Sequence, residues 1–122
     1  QKEPRYHHPH SSAWVVRLGD GTDESHHRMQ AGIDNLWRFT GEMFAGDEVD
    51  AAMVDAGIAV AADSLEGPWS TRVAAVLSDA GLTVPDDLYQ REGGRSGFHT
   101  EHLGHLLSEL QWMQRTYPGL EW

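Results

Sequence analysis

Apolar residues spaced three or four positions apart follow a glycine-rich turn in this sequence, and this pattern limits the fold more than any other feature. The turn is Gly19-Asp20-Gly21, and the hydroxyl of the next residue, Thr22, can cap the free amides that open a helix. The spacing predicts one long helix over Thr22–Phe44. Its apolar face would consist of Met29, Ile33, Leu36, Trp37, Thr40 and Phe44. With a second helix before the turn, the chain is expected to form a helical hairpin.

Three further segments combine an apolar face with start and stop signals for helices. The predicted helices are Glu48–Ala56, which Asp47 caps and Gly57 ends, Pro68–Ala80, which Gly81 ends, and Phe98–Thr116, whose face is almost purely leucine. Alternating patterns typical of strands are short or missing. The sequence therefore predicts an all-α fold with two long helices and two or three shorter ones.

Two prolines limit the helix that precedes the turn. Pro4 is tolerated in a first turn, but Pro9 inside a helix removes an amide donor and crowds the carbonyl of Arg5, at a cost of about 3 kcal/mol or more. We therefore expect a helix over Ser11–Leu18 and a bent or frayed segment over residues 1–10.

Charge and composition exclude several classes of function. The 122 residues include 19 acidic and 9 basic ones, a net charge of −10 with histidines neutral, and no stripe of Lys and Arg offsets it. A nucleic-acid partner is therefore not expected.

Without cysteine the chain has no disulfide and no thiolate-held metal site, so a cytoplasmic location is the simplest prediction. The longest apolar run, Ile58–Ala62, is far short of the roughly 20 residues that span a bilayer. We expect one helical domain over 1–122 and no membrane span.

Acidic and histidine residues at helical spacing are the candidates for a metal site. Asp23 and His26 point inward and have the i, i+3 spacing of carboxylate-bridged metal sites. An aspartate near the start of a helix is also stabilised by the positive end of the helix dipole, without any metal. If the first segment were helical throughout, Glu3, His7, His10 and Trp14 would share one face, with the acidic and histidine residues as a second half-site.

The two half-sites are not expected to meet. In a hairpin centred near Asp20, residues equally far from the turn face each other, which places Asp23 and His26 close to the turn and Glu3 about 24 Å up the helix from it, at a rise of about 1.5 Å per residue. Glu3 would instead face Trp37–Thr40. We therefore assign no catalytic, cofactor-binding or metal-binding residue, and regard the five acidic and histidine residues as a degenerate site.

The remaining histidines and the tryptophans have simpler interpretations. His99 and His102 fall on or beside the leucine face of the last helix and are expected to be hydrogen-bonded core residues. Trp14, Trp37 and Trp69 are expected in the core. Trp112 lies off the leucine face and Trp122 is the last residue given, so both are candidates for an interface with another chain.

Five segments, in order along the chain, resemble one known family. They are Trp14–Thr22, Leu36–Phe44, Gly57–Val60, His99–Gly104 and Gln111–Trp122. Together they are similar to the C-terminal half of the PaaC family, the structural subunits of ring 1,2-phenylacetyl-CoA epoxidases. The resemblance implies a ferritin-like helical bundle, of which this chain would form the C-terminal half, without a cofactor of its own. It also implies a homologous catalytic subunit as partner, which would contain the di-iron centre, and further subunits of the same complex.

Two other functions remain open at this point. One is a ferritin-like metal-binding protein or di-iron enzyme, with a site built from Asp23, His26 and residues of another copy or segment. The other is a helical adaptor with an unrelated partner. Because a half-bundle exposes an apolar groove, we also expect the chain to be oligomeric, to aggregate, or to retain another half noncovalently.

Overall fold

A computed structural model describes residues 3–86 and 89–121, and this part of the chain contains helices and no strand. The α-helices are α1 (Glu3–Gly19), α2 (Asp23–Leu36), α3 (Glu48–Asp55), α4 (Glu66–Asp79) and α5 (Glu101–Thr116). Short 3₁₀ turns lie at Trp37–Phe39, Gly41–Phe44, Ala62–Leu65 and Gly94–Ser96. The predicted all-α class is confirmed. The chain divides into two compact units, Gln1–Arg91 and Glu92–Trp122.

Helix α1 is continuous from Glu3 through Pro9, so the prediction that residues 3–10 are frayed and that the helix starts at Ser11 is wrong. Residues 1 and 2 lie outside the described part. Contacts between side chains four residues apart extend across Pro9. His7 pairs with Glu3 at 3.2 Å, and the rings of Tyr6 and His10 stack at 5.5 Å. The Ser11 hydroxyl donates to the carbonyl of His7 at 2.9 Å. Such contacts contribute only about 0.2–0.5 kcal/mol each, and α1 is also held by the packing of Val15 and Val16 against the core, whereas the prediction considered only the local cost of Pro9.

Helix α2 begins as predicted and ends early. The Ser25 amide donates to the Thr22 hydroxyl at 3.2 Å, and the Thr22 amide donates to the Ser25 hydroxyl at 3.0 Å, so Thr22 is confirmed as the cap. The helix stops at Leu36, and the prediction of one helix to Phe44 is wrong.

The chain beyond Leu36 tightens into 3₁₀ turns because two side chains hold its backbone. The Thr40 hydroxyl donates to the carbonyl of Trp37 at 2.8 Å. The Gly41 amide donates to the side-chain oxygen of Gln90 at 3.1 Å. Gln90 lies 49 residues further along the chain, so the apolar spacing of 37–44 could not reveal this change.

Helices α3, α4 and α5 lie close to their predicted positions. Asp47 caps α3, accepting from the amide of Val49 at 2.9 Å, and both α3 and α4 are followed by left-handed glycines, Gly57 and Gly81. Helix α5 starts at Glu101 rather than Phe98, because Gly97 ends the preceding 3₁₀ turn in the left-handed region at φ +94°.

The core of the first unit lies where α1, α2 and α4 meet. Leu77, Ala80 and Leu82 are its buried apolar residues. The side chains packed around them are Val15, Val16, Met29, Ile33, Trp37 and Val73. Gly19 is also buried, and a Cβ atom there would lie 2.6 Å from the carbonyl oxygen of Ala80. Close approach of α1 to the end of α4 therefore requires glycine at position 19.

The tryptophans divide between the core and the surface. Trp69 packs against Trp37 with ring centroids 5.6 Å apart, and both are half-buried. Trp14 is 47% exposed, so its assignment to the core is wrong. At about 100° per residue, it lies on the side of α1 opposite Val16 and Gly19.

In the second unit, the apolar side chains of α5 are largely exposed. Leu106 and Leu110 have more than half of their surface accessible, and Trp112 is 53% exposed. His99 precedes α5 and His102 lies in its first turn, and both are exposed. The expectation that these two histidines belong to the core is wrong. In the described part of this unit, no other α-helix packs against the leucine face of α5. Trp122 lies outside the described residues.

No helix in residues 3–86 and 89–121 is long and apolar enough to cross a membrane.

Candidate functional site

His26 joins the start of α2 to the end of α1. Its Nδ1–H donates to the carbonyl oxygen of Gly19 at 2.7 Å. A carbonyl can only accept, so the proton lies on Nδ1 in this contact. The last carbonyls of a helix have no partner within the helix, and the half-buried imidazole satisfies one of them. His26 therefore stabilises the hairpin through the nitrogen that faces α1.

Asp23 and His27 complete the first turn of α2 without forming a ligand set. The backbone carbonyl of Asp23 accepts from the Nδ1 of His27 at 2.6 Å. The Asp23 side chain is exposed at the helix start, where a carboxylate is favoured by the helix dipole. The spacing suggested that Asp23 and His26 both point inward. In the structure the Asp23 side chain faces solvent, whereas His26 contacts the end of α1.

The three residues of the second half-site do not converge on one point. Glu3 and His7 form an exposed pair, of a kind that contributes about 0–1 kcal/mol. His10 contacts aromatic rings instead, with Tyr6 at 5.5 Å and Trp14 at 6.5 Å between centroids. Glu3 was expected to face Trp37–Thr40 because residues equally far from the turn of a helical hairpin face each other. That expectation required α2 to continue past residue 37, and α2 ends at Leu36.

These donors do not fit a di-iron centre. Such centres in ferritin-like bundles use carboxylates and histidines that project inward from several helices. Here Glu3 and Asp23 are exposed at the surface, and Glu3 is paired with His7. Across residues 3–86 and 89–121, no three His, Asp or Glu side chains are grouped closely enough to hold a metal ion.

Replacing His26 with alanine should lower the free energy of unfolding by about 1–2 kcal/mol, because the Gly19 carbonyl loses its donor. The matched variant is His27→Ala, which removes an exposed contact within α2 and should change stability by less than about 0.5 kcal/mol. Urea unfolding followed by far-UV circular dichroism measures both. Equal losses from the two variants would contradict the assigned role of His26.

An open groove lies between α1 and α4. Its volume is about 450 Å³, with apolar walls from Val15, Trp69 and Val76 and with Ser12 and Arg72 among its polar lining residues. The groove leaves apolar surface uncovered within the first unit.

A stripe of ring and guanidinium side chains runs along α1, and only two of its members, His10 and Trp14, were placed on one face from the sequence. We call it the outer α1 stripe and define it as Tyr6, His10, Trp14 and Arg17. The guanidinium carbon of Arg17 lies 5.5 Å from the centroid of the Trp14 ring, which in turn contacts His10. The i, i+4, i+8 spacing of the three rings was visible in the sequence. The prediction of a bent or frayed segment over residues 1–10 obscured it.

The fold and these residues define an all-α protein whose hairpin has no complete metal-binding set in the described part. The chain belongs to the phenylacetic acid catabolic protein family (PaaA/PaaC), whose profile matches residues 1–122. The fold of this family is ferritin-like and helical, in agreement with the predicted class.

The chain is also similar in sequence to a curated protein of Escherichia coli. The chain is 48% identical over 121 residues to a component of the 1,2-phenylacetyl-CoA epoxidase of Escherichia coli (strain K12), the one designated as its C subunit. The alignment covers 99% of this chain and 49% of that protein, so the chain spans about half the length of this relative. The resemblance drawn from the five sequence segments is confirmed.

Proposed function

We propose that this chain forms part of a structural, non-catalytic subunit of a phenylacetyl-CoA epoxidase. The observation that supports this most directly is the 48% identity to the Escherichia coli epoxidase component across 99% of the chain. In this proposal the chain pairs with a homologous catalytic subunit that holds the di-iron centre. The complex acts in the cytoplasm on phenylacetyl-CoA and O₂, and its electrons come from NADPH through a separate reductase.

The positions of the acidic and histidine side chains support a non-catalytic role. His26 is engaged with the Gly19 carbonyl, and Glu3 and His7 pair with each other at the surface. None of these contacts would position a substrate or an oxidant. In this proposal the residues stabilise the helical hairpin, and the reacting groups belong to the partner.

The test uses three samples: this protein, the catalytic subunit, and the two together, each with phenylacetyl-CoA, reductase, NADPH and iron. We expect the two proteins to co-elute in a fixed ratio on size exclusion. Epoxidation should occur only in samples that contain the catalytic subunit. Turnover by this protein alone would overturn the non-catalytic role, and failure to co-elute would overturn the pairing.

Elemental analysis of the same preparation, purified without a histidine tag, tests the metal-binding alternative. We expect only trace iron and manganese, because the described donors do not fit such a site. Near-stoichiometric metal in this protein alone would favour the alternative.

A further inference from the structure

Helix α1 has two faces of different character. Val15, Val16 and Gly19 face the core formed with α2 and α4. At about 100° per residue, the outer α1 stripe lies on the opposite side of the helix. Successive members of the stripe are in contact, from Tyr6 to His10, from His10 to Trp14 and from Trp14 to Arg17. The stripe is therefore a continuous surface rather than a set of scattered side chains.

The composition of this surface is typical of protein interfaces. Tyr6 is 64% exposed, and Trp14 and Arg17 are also exposed. Tryptophan, tyrosine and arginine are the residues most enriched among those that dominate binding energy. Stacking on its neighbours restricts each of these side chains before a partner binds, which reduces the entropy lost on association.

Charge indicates what kind of surface would face the stripe. Within Glu3–Gly19 there are two arginines, three histidines and a single acidic residue, Glu3, which pairs with His7. The other 18 acidic residues lie outside this range, and the chain as a whole has a net charge of −10. With histidines neutral, the two arginines and Glu3 give α1 a net charge of +1 on a protein of net charge −10, so a complementary surface would be acidic.

We propose that the outer α1 stripe is the surface through which this chain docks on its partner subunit. The facing surface presents carboxylates to Arg17 and small apolar side chains to the ring of Trp14. This inference rests on the proposed function for the identity of the partner, and on the geometry and charge of α1 for the location of the interface.

The test compares two stripe variants with two matched variants elsewhere. Trp14→Ala is matched by Trp112→Ala, since the two rings are 47% and 53% exposed. Arg17→Gln is matched by Arg28→Gln on α2, which also removes one exposed positive charge. Each full-length variant is titrated against the purified catalytic subunit, and the Kd is measured at two salt concentrations.

We expect Trp14→Ala to weaken binding by about tenfold or more, as for a central aromatic anchor. Arg17→Gln should weaken it by about threefold to tenfold and reduce its dependence on salt. Trp112→Ala and Arg28→Gln should stay within about twofold of the unmodified protein. The Tm of each variant is recorded, because a stripe residue that acts only through folding would change Tm together with Kd.

The outcomes separate this inference from the proposed function. If the unmodified chain binds the catalytic subunit and the stripe variants bind equally well, the location is wrong and the proposed function stands. Loss of binding in Trp112→Ala alone would likewise place the interface on α5. If the stripe variants instead abolish self-association and leave the mixed complex intact, the occupant is a second copy and the inference is overturned. Failure of the unmodified chain to bind contradicts the proposed pairing itself.

Discussion

Replacing Gly19 with alanine should lower the free energy of unfolding by about 2–3 kcal/mol. The new Cβ would lie 2.6 Å from the carbonyl oxygen and 2.7 Å from the Cβ of Ala80, both too close for a real contact. Neither atom belongs to a flexible side chain, and Ala80 is almost fully buried. The clash can be relieved only by moving α1 away from the end of α4, which would open the core. Urea unfolding of the full chain measures the loss.

Gly32→Ala is the control for this prediction. Gly32 lies within α2, and a Cβ there would meet no atom within 4 Å. Alanine favours the helix over glycine by about 0.5–1 kcal/mol, so this variant should be slightly more stable than the unmodified protein. If both glycine variants changed stability in the same direction, the close approach of Gly19 and Ala80 would not be what selects glycine at position 19.

Replacing Leu77 with alanine should lower the free energy of unfolding by about 3 kcal/mol, within the usual range for a buried leucine. Leu77 is 6% exposed and belongs to the small buried cluster with Ala80 and Leu82. Few other buried side chains in the described part could move in to fill the space. The loss would be a large fraction of the roughly 5–15 kcal/mol that stabilises an ordinary domain, so Tm should fall by several degrees.

Leu36→Ala removes the same atoms from an exposed position. Leu36 is 66% exposed at the last residue of α2, and its loss should cost less than about 1 kcal/mol. A cost at Leu36 that matched the cost at Leu77 would show that another chain buries Leu36, or that the cluster around Leu77 is not the core that stabilises the protein.

Spacing along one helix does not by itself establish a metal-ligand set. Asp23 and His26 are correctly placed on one helix, but their spacing does not show what each side chain contacts in the folded chain, where Asp23 is exposed and His26 is half-buried. The Gly19 carbonyl lies within reach of His26 and engages its Nδ1. That contact depends on how α1 and α2 meet at the turn, and no pattern within α2 alone predicts it.

The errors in helix boundaries have a similar origin. The predicted bend at Pro9 considers only a local cost, yet contacts between Tyr6 and His10 and between Glu3 and His7 extend across it. The apolar stripe of the second helix continues to Phe44 in the sequence, while the helix itself stops at Leu36. In both cases the spacing identified which side chains could share a face, but it did not determine how the backbone would run.

The sequence by itself determined the helical class, the caps at Thr22 and Asp47, the glycine stops at Gly57 and Gly81, and the family. These features depend on hydrogen bonds and periodicity within a few consecutive residues, or on segments that can be compared directly. Only the tertiary structure decided that Gly19 must be glycine, that Trp14 faces outward and that Gln90 holds the chain after α2. Each of these depends on residues far apart in the sequence, whose distances are set by how helices pack and not by any local pattern.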